Sequence, residues 1–302
     1  MKPRDIIDLM LLGAIWGASY PLMRIATPEF GPFALNLLRV GIGAACLLPL
    51  LHGRGGLAAA RGHVGAICVV GVINTALPFV LLAYSTLHLS AGFAAILNTA
   101  APLWGAIVAW LWLGDRLNAA RIAGLGIGFA GVATLVWGKV AISFEGTSLA
   151  IAASLAGTLM YGIAGSYTKK RLTGVAPLAV AAISQVAATL VLLPLAMATW
   201  PAAPPSGKAW AGVLVLGMMC TGVAYILYFR LIANAGPARA IAVSFLIPAF
   251  ALAWSGLFLG EVPTPRMLAG CVVTLLGTAL ATGMVGGRKP AAAAARPRPG
   301  TT

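Results

Sequence analysis

Long apolar runs separated by short polar breaks make up almost the whole chain of 302 residues. About ten of these runs approach the ~20 residues that a helix needs to cross the hydrocarbon of a bilayer. The pattern predicts ten transmembrane helices, at residues 6–27, 32–51, 63–86, 91–113, 119–137, 148–168, 175–198, 208–232, 238–260 and 266–285. The breaks contain Pro, Gly and Ser, and they are too short to hold a soluble domain.

One stretch of the chain occurs twice, because residues 97–117 superpose without a gap on residues 243–263 when they are shifted by 146 positions. Chemically similar residues coincide under this shift, in the pairs Pro102 and Pro248, Gly114 and Gly260, Asp115 and Glu261, Gly124 and Gly270, and Thr75 and Thr221. The match indicates that one half of the chain is a copy of the other.

Five predicted spans per half is an odd number, so the two copies must have opposite orientations in the membrane. We therefore expect an all-α integral membrane protein with two inverted five-helix repeats, residues 1–140 and 147–286. A disordered cytoplasmic tail is expected at residues 287–302, which hold an alanine run and several Arg-Pro steps.

Each copy carries a proline inside a long apolar run, and a Gly and an acid follow where the run ends. Proline removes a backbone donor and clashes with the preceding turn, which loosens the helix. Pro102 and Pro248 are therefore candidate hinges, and the alternative is a kinked helix with an ordinary cap.

Composition assigns the chain to the integral membrane class. Hydrophobic residues make up 60% of the chain and charged residues 9%, and the mean hydropathy is +0.96. Soluble domains average about 45 to 50% apolar and roughly 25% charged residues. The four cysteines lie in separate apolar runs without metal-ligand spacing, so the sequence indicates no disulfide, no metal site and no cofactor.

The net charge of +14 is largely a topology signal. With the N-terminus inside and ten spans, the inside segments hold 15 of the 20 basic residues. The positive-inside rule therefore predicts a multi-pass protein with both termini cytoplasmic. The first apolar run is too long for a typical signal core and lacks an Ala-x-Ala site, which indicates an uncleaved first helix. Nucleic acid is not needed as a partner to explain this charge.

Polar side chains in mid-span should face the bundle interior or a water-filled cavity, because lipid cannot replace their hydrogen bonds. Such side chains recur at helical spacing, and the candidate substrate-binding residues are Trp16, Ser19, Tyr20, Arg39, Asn74, Asn98, Ser154, Thr158, Tyr161, Thr221, Tyr225 and Tyr228. The alternative is that the hydroxyls bond to their own helix backbone and the tyrosines form an interfacial belt.

Arg39 allows two interpretations, since it lies roughly 10 Å from the outer end of its span by the helical rise. A long side chain there can snorkel to the interface, toward Glu29. It can also place a fixed positive charge at the outer mouth of a cavity, where a guanidinium suits a carboxylate or phosphate.

No acid is predicted in mid-span, so the sequence indicates no carboxylate relay for protons. Reactive groups are not arranged as an enzyme would need them, and a catalytic function is not expected. Small-residue motifs, Gly13-x-x-x-Gly17 and Gly124-x-x-x-Gly128 among them, either pack the monomer internally or form a homodimer.

The Asn98 to Leu103 segment, the Leu113-Gly114-Asp115-Arg116-Leu117 motif and its second copy ending at Glu261 resemble the EamA family of the drug/metabolite transporter superfamily. Trp16-Gly17 and Arg39 also fit that resemblance, although Asp115 stands where Glu is more usual. The resemblance implies a bacterial inner-membrane carrier that exports amino acids or related small metabolites by alternating access. Export of amphipathic drugs is the alternative within the family, and a non-transporting structural or signalling protein is the alternative outside it.

Overall fold

The computed structural model describes residues 2–53, 56, 60–137 and 146–284. Within these residues all regular structure is helical. The expected disordered tail, 287–302, and several of the basic residues used to orient the chain, Arg54 and Lys139 among them, lie outside the described residues.

The segment Pro3–Gly53 holds two helices that meet at Gly31, and they are termed α1 (residues 3–30) and α2 (residues 32–53). A short helix, Pro237–Ala240, precedes α9. The other long helices are α3 (Arg61–His88), α4 (Ala91–Leu113), α5 (Ala119–Val136), α6 (Gly146–Arg171), α7 (Pro177–Ala198), α8 (Gly207–Ala235), α9 (Val243–Leu259) and α10 (Pro265–Ala281).

Seven of the described segments are long and apolar enough to cross a membrane by length and composition. This number differs from the ten predicted because Pro3–Gly53 is one continuous segment and because α9 and α10 have 17 residues each. The all-α membrane class is confirmed, whereas the count of ten is not established by helix length.

The predicted break at residues 28–32 is a single residue in the structure. Gly31 has φ 72° and ψ 163°, which lies outside the range that other residues adopt without strain. Pro32 follows as the first residue of α2, where a missing backbone donor costs nothing. One glycine therefore separates two long helices.

The glycine motif in α1 packs against α9. A Cβ added at Gly13 would lie 2.8 Å from Leu246 Cβ, and one added at Gly17 would lie 2.9 Å from the backbone nitrogen of Ala251. Only a residue without a side chain permits this approach of α1 to α9. The first small-residue motif is thus used inside the monomer.

A second set of glycines joins α5 to α10. A Cβ at Gly277 would lie 2.7 Å from Gly124 O and closer still to the backbone of Gly128, and a Cβ at Gly131 would lie 3.0 Å from Gly270 O. Backbone therefore meets backbone along this pair, which is the packing that Gly-x-x-x-Gly motifs allow. These contacts form within one chain and do not require a second copy.

Two charged side chains near helix ends have partners within the protein. Arg24 donates hydrogen bonds to Thr86 O at 2.6 Å and Leu87 O at 2.8 Å, so it caps the C-terminal end of α3. Asp8 is buried and forms an ion pair with Arg230 of α8. Arg24 therefore has partners inside the protein and does not need to reach the interface.

The repeat recognised in the sequence recurs in the backbone. Gly114 has φ 71° and ψ 18°, and Gly260 has φ 66° and ψ 18°, so both helices end in the same left-handed cap. Asp115 N bonds to Ala109 O at 3.3 Å, and the equivalent Glu261 N bonds to Ser255 O at 3.2 Å. The two copies therefore have the same local structure where their sequences agree.

The α5 and α10 contact provides a test of the packing. Gly277→Ala should destabilise the fold by about 1 to 3 kcal/mol, because the new methyl group meets backbone atoms of Gly128 that cannot move aside. Thermal unfolding in detergent measures the change. Gly126→Ala is the matched control, since a Cβ there has no atom within 4 Å, and it should leave stability unchanged or slightly raised. Equal melting temperatures for the two variants would contradict the packing.

Candidate functional site

A central cavity of about 610 Å³ lies between α1, α2, α3, α4, α6, α8 and α9. It extends as far as Asp115 and Lys169, whose side chains are 41% and 61% exposed. Nine of the twelve predicted binding residues line it, namely Trp16, Ser19, Tyr20, Arg39, Asn74, Asn98, Tyr161, Tyr225 and Tyr228. The predicted hinge Pro102 lines it as well.

Ser154 and Thr158 are fully buried and do not line the cavity, although they share a helix face with Tyr161. The N-terminal half of α6 packs against α3, where a Cβ at Gly157 would lie 3.6 Å from Leu81 Cβ. Thr158 Oγ1 donates to Leu155 O at 2.7 Å, which is the backbone bond considered as the alternative. The part of α6 that lines the cavity therefore begins at Tyr161, and the cavity does not reach Thr158.

Aromatic rings form one wall of the cavity. The Trp16 ring lies 5.4 Å from the Tyr228 ring and 6.5 Å from the Tyr225 ring, measured between centroids. Trp16 Nε1 donates to Cys220 O at 3.2 Å, so its polar edge is satisfied and its ring is held in place. Such a wall offers apolar faces together with hydroxyl groups to a solute.

Arg39 is buried in this cavity, with 5% of its surface exposed. Its Nε donates to Thr221 Oγ1 at 3.2 Å, and its guanidinium carbon lies 4.0 Å from the centroid of the Phe79 ring. A further contact joins Nη1 to Met23 Sδ at 3.7 Å. All three partners are uncharged. Glu29 accepts instead from Ser206 Oγ at 2.8 Å, so the alternative interpretation, in which Arg39 snorkels toward Glu29, does not describe this structure.

Thr221 accepts a hydrogen bond from Arg39 and is itself fully buried. It belongs to a π-helical turn, Met218–Val223, and donates its hydroxyl proton to Leu216 O at 2.9 Å, five residues earlier. The wider turn therefore leaves the oxygen of Thr221 free to accept from Arg39. Thr221 is a positioning partner of Arg39 rather than part of the cavity surface.

The equivalent stretch of the first half is also π-helical, at Gly71–Ala76, and it contains Thr75. A Cβ at Gly71 would lie 2.8 Å from Ala187 Cβ of α7, and a Cβ at Gly222, within the second π-helical turn, would lie 2.8 Å from Cys46 Cβ of α2. Each π-helical turn is thus packed against the second helix of the opposite half.

The lining of the cavity has an internal symmetry. Of its 26 residues, 18 form nine pairs related by the shift of 146 positions. The pairs are Trp16 and Gly162, Ser19 and Gly165, Tyr20 and Ser166, Met23 and Lys169, Asn74 and Cys220, Phe79 and Tyr225, Leu82 and Tyr228, Asn98 and Ser244, and Ala101 and Ile247. Equivalent positions of the two halves therefore face the same space.

The eight lining residues without such a partner identify where the symmetry fails. Five of them lie on the second half of α4 and at its cap, namely Pro102, Gly105, Ala109, Leu113 and Asp115. Their counterparts on α9 do not line the cavity, and Ala251 and Ser255 among them are at most 1% exposed. The cavity is thus open along the second half of α4 and closed along the second half of α9.

Glu261 closes the α9 side by capping the start of α4. Its Oε1 accepts from Ala91 N at 3.1 Å and its Oε2 from Gly92 N at 3.3 Å. These are backbone donors of the first helical turn, which have no intrahelical acceptor and attract negative charge. Gly92 also packs tightly on Leu252 of α9. We call this contact the Glu261 cap.

Asp115, the counterpart of Glu261, makes no such cap. It pairs with Lys169 Nζ at 2.9 Å, at the half-exposed end of the cavity. The residues equivalent to Ala91 and Gly92 are Pro237 and Ala238, and Pro237 has no backbone N–H to offer. The two ends of the protein therefore differ, because Glu261 accepts hydrogen bonds from the start of a helix and Asp115 does not.

The two predicted hinges differ in their surroundings. Pro102 follows a 3₁₀ turn, Asn98–Ala100, and lines the central cavity. Pro248 is buried within α9 and lines a smaller adjoining space of about 80 Å³, together with Asn98 and Pro102. The helix before Pro248 is also tightened, because Ser244 N bonds to Ile241 O, three residues earlier.

Sequence reasoning missed several lining residues, including Met23, Phe79, Cys220 and Lys169. The first three are apolar or weakly polar and give no signal of a wet surface. The repeat could have identified two of them, since Phe79 is the counterpart of Tyr225 and Cys220 that of Asn74. Among the described residues, no group of three His, Cys, Asp or Glu side chains is placed to hold a metal ion.

Known proteins resemble this chain over nearly its full length. The model of the EamA-like transporter family matches twice, at residues 6–137 and 148–283. A probable terminal-alkyne amino-acid exporter of Streptantibioticus cattleyicolor is 28% identical over 93% of this chain and 94% of its own length. The uncharacterized transporter YvbV of Bacillus subtilis is 23% identical over 92% of both chains.

One solved crystal structure of another protein superposes with a TM-score of 0.65 at 20% sequence identity. The match covers 94% of this chain and 99% of that one. At this identity the similarity shows that the fold is shared.

The Glu261 cap can be tested without a transport assay. Glu261→Ala removes the acceptors of Ala91 N and Gly92 N, so these amides should exchange with deuterium about tenfold faster or more, as expected for loss of a charge-assisted bond. Hydrogen exchange followed by mass spectrometry on peptides spanning residues 89–97 measures this. Asp115→Ala is the control, because Asp115 makes no contact there. Unchanged exchange in the Glu261 variant would show that the cap does not hold the start of α4.

Proposed function

Because the chain belongs to the EamA-like transporter family, we propose that it is a secondary transporter that exports amino acids or related small metabolites by alternating access. The central cavity supports this proposal, since it lies between two equivalent halves, as substrate sites of repeat-built transporters do. The named relatives are transporters rather than enzymes, and one of them is named as a probable amino-acid exporter.

We propose ten transmembrane helices in two inverted repeats, 1–140 and 147–286. The seven spanning segments become ten when Pro3–Gly53 is counted as two helices and when α9 and α10 are included. Support for the repeats comes from the two matches of the family model, the equivalent glycine caps and the nine paired lining positions. An odd number of spans per half makes the repeats inverted.

The protein would lie in the bacterial inner membrane with both termini in the cytoplasm. Most basic residues fall on the cytoplasmic side in this orientation, as the positive-inside rule requires. The Asp115 end of the cavity is then cytoplasmic and the Glu261 end periplasmic. In this conformation the cavity would be open to the cytoplasm, where an exporter collects its solute.

The buried charge of Arg39 carries the substrate assignment. Its partners are a hydroxyl, an aromatic ring and a thioether, so its charge is not neutralised by a carboxylate. A buried guanidinium is costly without an anion, and a carboxylate on the solute would supply one with two oxygens in matching geometry. The aromatic wall of Trp16, Tyr225 and Tyr228 would cover the apolar part of the same solute.

Export of amphipathic compounds is the second candidate, and the aromatic wall and the cavity volume of about 610 Å³ favour it. The two candidates differ in whether the solute needs a carboxylate. Uptake by purified protein in liposomes, with a panel of radiolabelled amino acids and cationic amphipathic compounds, distinguishes them.

The orientation can be tested with fusion reporters. A periplasm-active reporter should be active after Ala203, in the loop between α7 and α8, and silent after Lys289. Activity of cells carrying each fusion measures the result, and a cytoplasm-active reporter at the same two positions should give the opposite pattern. If both reporters report the reverse, the topology is inverted and the cavity opens to the periplasm.

The substrate assignment predicts different effects of three substitutions on transport. Arg39→Ala should raise the half-saturation concentration for a carboxylate-bearing solute ten- to a hundredfold, because it removes a charge-assisted bond of about 1.5 to 3 kcal/mol. Arg39→Lys should restore part of the lost affinity. Tyr161→Ala should also weaken transport. Tyr167→Ala is the control, since Tyr167 is outside the cavity lining. An unchanged half-saturation concentration in Arg39→Ala would remove the carboxylate from the proposal.

A further inference from the structure

The counterpart of Arg39 in the second half is Gln185, on α7. Arg39 lines the cavity, whereas Gln185 is fully buried outside it. Neither Nε2 nor Oε1 of Gln185 has a hydrogen-bond partner within the described residues. A buried amide without partners destabilises a fold, so its presence at this equivalent position calls for a functional reason.

The surroundings of Gln185 repeat those of Arg39. Thr75, the counterpart of Thr221, is fully buried, and its Oγ1 also lacks a partner within the described residues. It lies in the π-helical turn that packs against α7 next to Gln185, where a Cβ at Gly71 would be 2.6 Å from Ser184 O. The second half therefore has Gln185 and Thr75 at the positions of Arg39 and Thr221, without the charge and without the hydrogen bond that joins Arg39 to Thr221.

Thr221 and Gln185 both lie next to the same glycine of α2. A Cβ placed on Gly43 of α2 would lie 3.1 Å from Thr221 Cβ and 3.9 Å from Gln185 Cδ. Gly43 follows Arg39 by one helical turn, so the amide of Gln185 is adjacent to the Arg39 and Thr221 pair.

We propose that Gln185, with Thr75, replaces Arg39 as the polar group facing the solute when the cavity opens at the Glu261 end. This inference rests on the proposed alternating-access function. A solute carrying a carboxylate would then form a charge-assisted bond in one conformation and a neutral hydrogen bond in the other. Its affinity at the Glu261 end should be about tenfold lower than at the Asp115 end.

Unequal affinities at the two ends are consistent with thermodynamics. Unequal affinities at the two ends need no energy source, because a solute that binds one conformation more tightly shifts the equilibrium toward that conformation. The unequal capping of α4 and the Pro237 segment favours the same conformation in the empty protein, because Glu261 binds the start of a helix and Asp115 does not. Release at the Glu261 end would be helped by the loss of the cation.

Thiol labelling tests which side chain faces which side, and it needs no transported solute. Arg39→Cys, Gln185→Cys and the control Ala188→Cys are made in a background with Cys46, Cys68, Cys220 and Cys271 replaced by Ala. Ala188 is fully buried on the same helix as Gln185, and its counterpart does not line the cavity. A membrane-impermeant methanethiosulfonate is then added to one face of sealed vesicles at a time.

The expected result is that Arg39→Cys and Gln185→Cys are labelled from opposite faces and that Ala188→Cys is labelled from neither. Labelling of Gln185→Cys from the same face as Arg39→Cys, or from no face, overturns the proposal. Size-exclusion chromatography of each variant confirms that it is folded. If Gln185→Cys does not fold, the exchange variant below decides.

The exchange variant Arg39→Gln with Gln185→Arg tests the affinities, with L-phenylalanine and L-phenylalaninamide as probes in right-side-out and inverted vesicles. The wild-type protein should bind L-phenylalanine about tenfold more tightly at the Asp115 end, and the exchange should transfer this advantage to the Glu261 end. The amide probe lacks a carboxylate and should show no such difference. Transport without this reversal overturns the inference and leaves the proposed function intact. A wild-type protein that carries neither probe counts against the proposed function, while the labelling result still decides the role of Gln185.

Discussion

A guanidinium that is held inside a membrane protein by neutral partners is the constraint on which the centre of this structure depends. Moving an ion of this size out of water costs several kcal/mol even after the surroundings relax. Three features lower the free-energy cost of burying Arg39. They are the Thr221 hydroxyl, the face of the Phe79 ring and the polar space of the cavity. The π-helical turn at Met218–Val223 is part of the same arrangement, because it orients Thr221 toward the guanidinium.

Much of the fold and part of the site could be predicted because the chain repeats itself. The shift of 146 residues identified the paired caps at Gly114 and Gly260, and the structure confirms the same left-handed geometry at both. Helical periodicity predicted a polar face of α6, and Tyr161 of that face lines the cavity. These features depend on local spacing, which a single sequence records directly.

Depth and conformation could not be predicted in this way. Periodicity indicates which side of α6 faces inward. The packing of α3 against Gly157 determines that the cavity does not extend as far as Thr158. The hydrogen-bond partner of the Glu29 carboxylate is also distant in sequence, because Ser206 donates to it and Arg39 does not. The seating of Glu261 on α4, with Asp115 left on Lys169, is a property of one conformation and has no sequence signature.

The proline at position 237 has a consequence for the empty protein at rest. Ala91 and Gly92 offer two backbone donors to Glu261, whereas the equivalent Pro237 offers none. A closed Asp115 end would therefore lack one charge-assisted bond, worth about 1.5 to 3 kcal/mol. This deficit corresponds to a resting population at least about tenfold in favour of the form seen here. Under the proposed transport function, nearly every empty molecule would then be ready to load, and scarce solute on the Asp115 side would meet a vacant site at its first encounter.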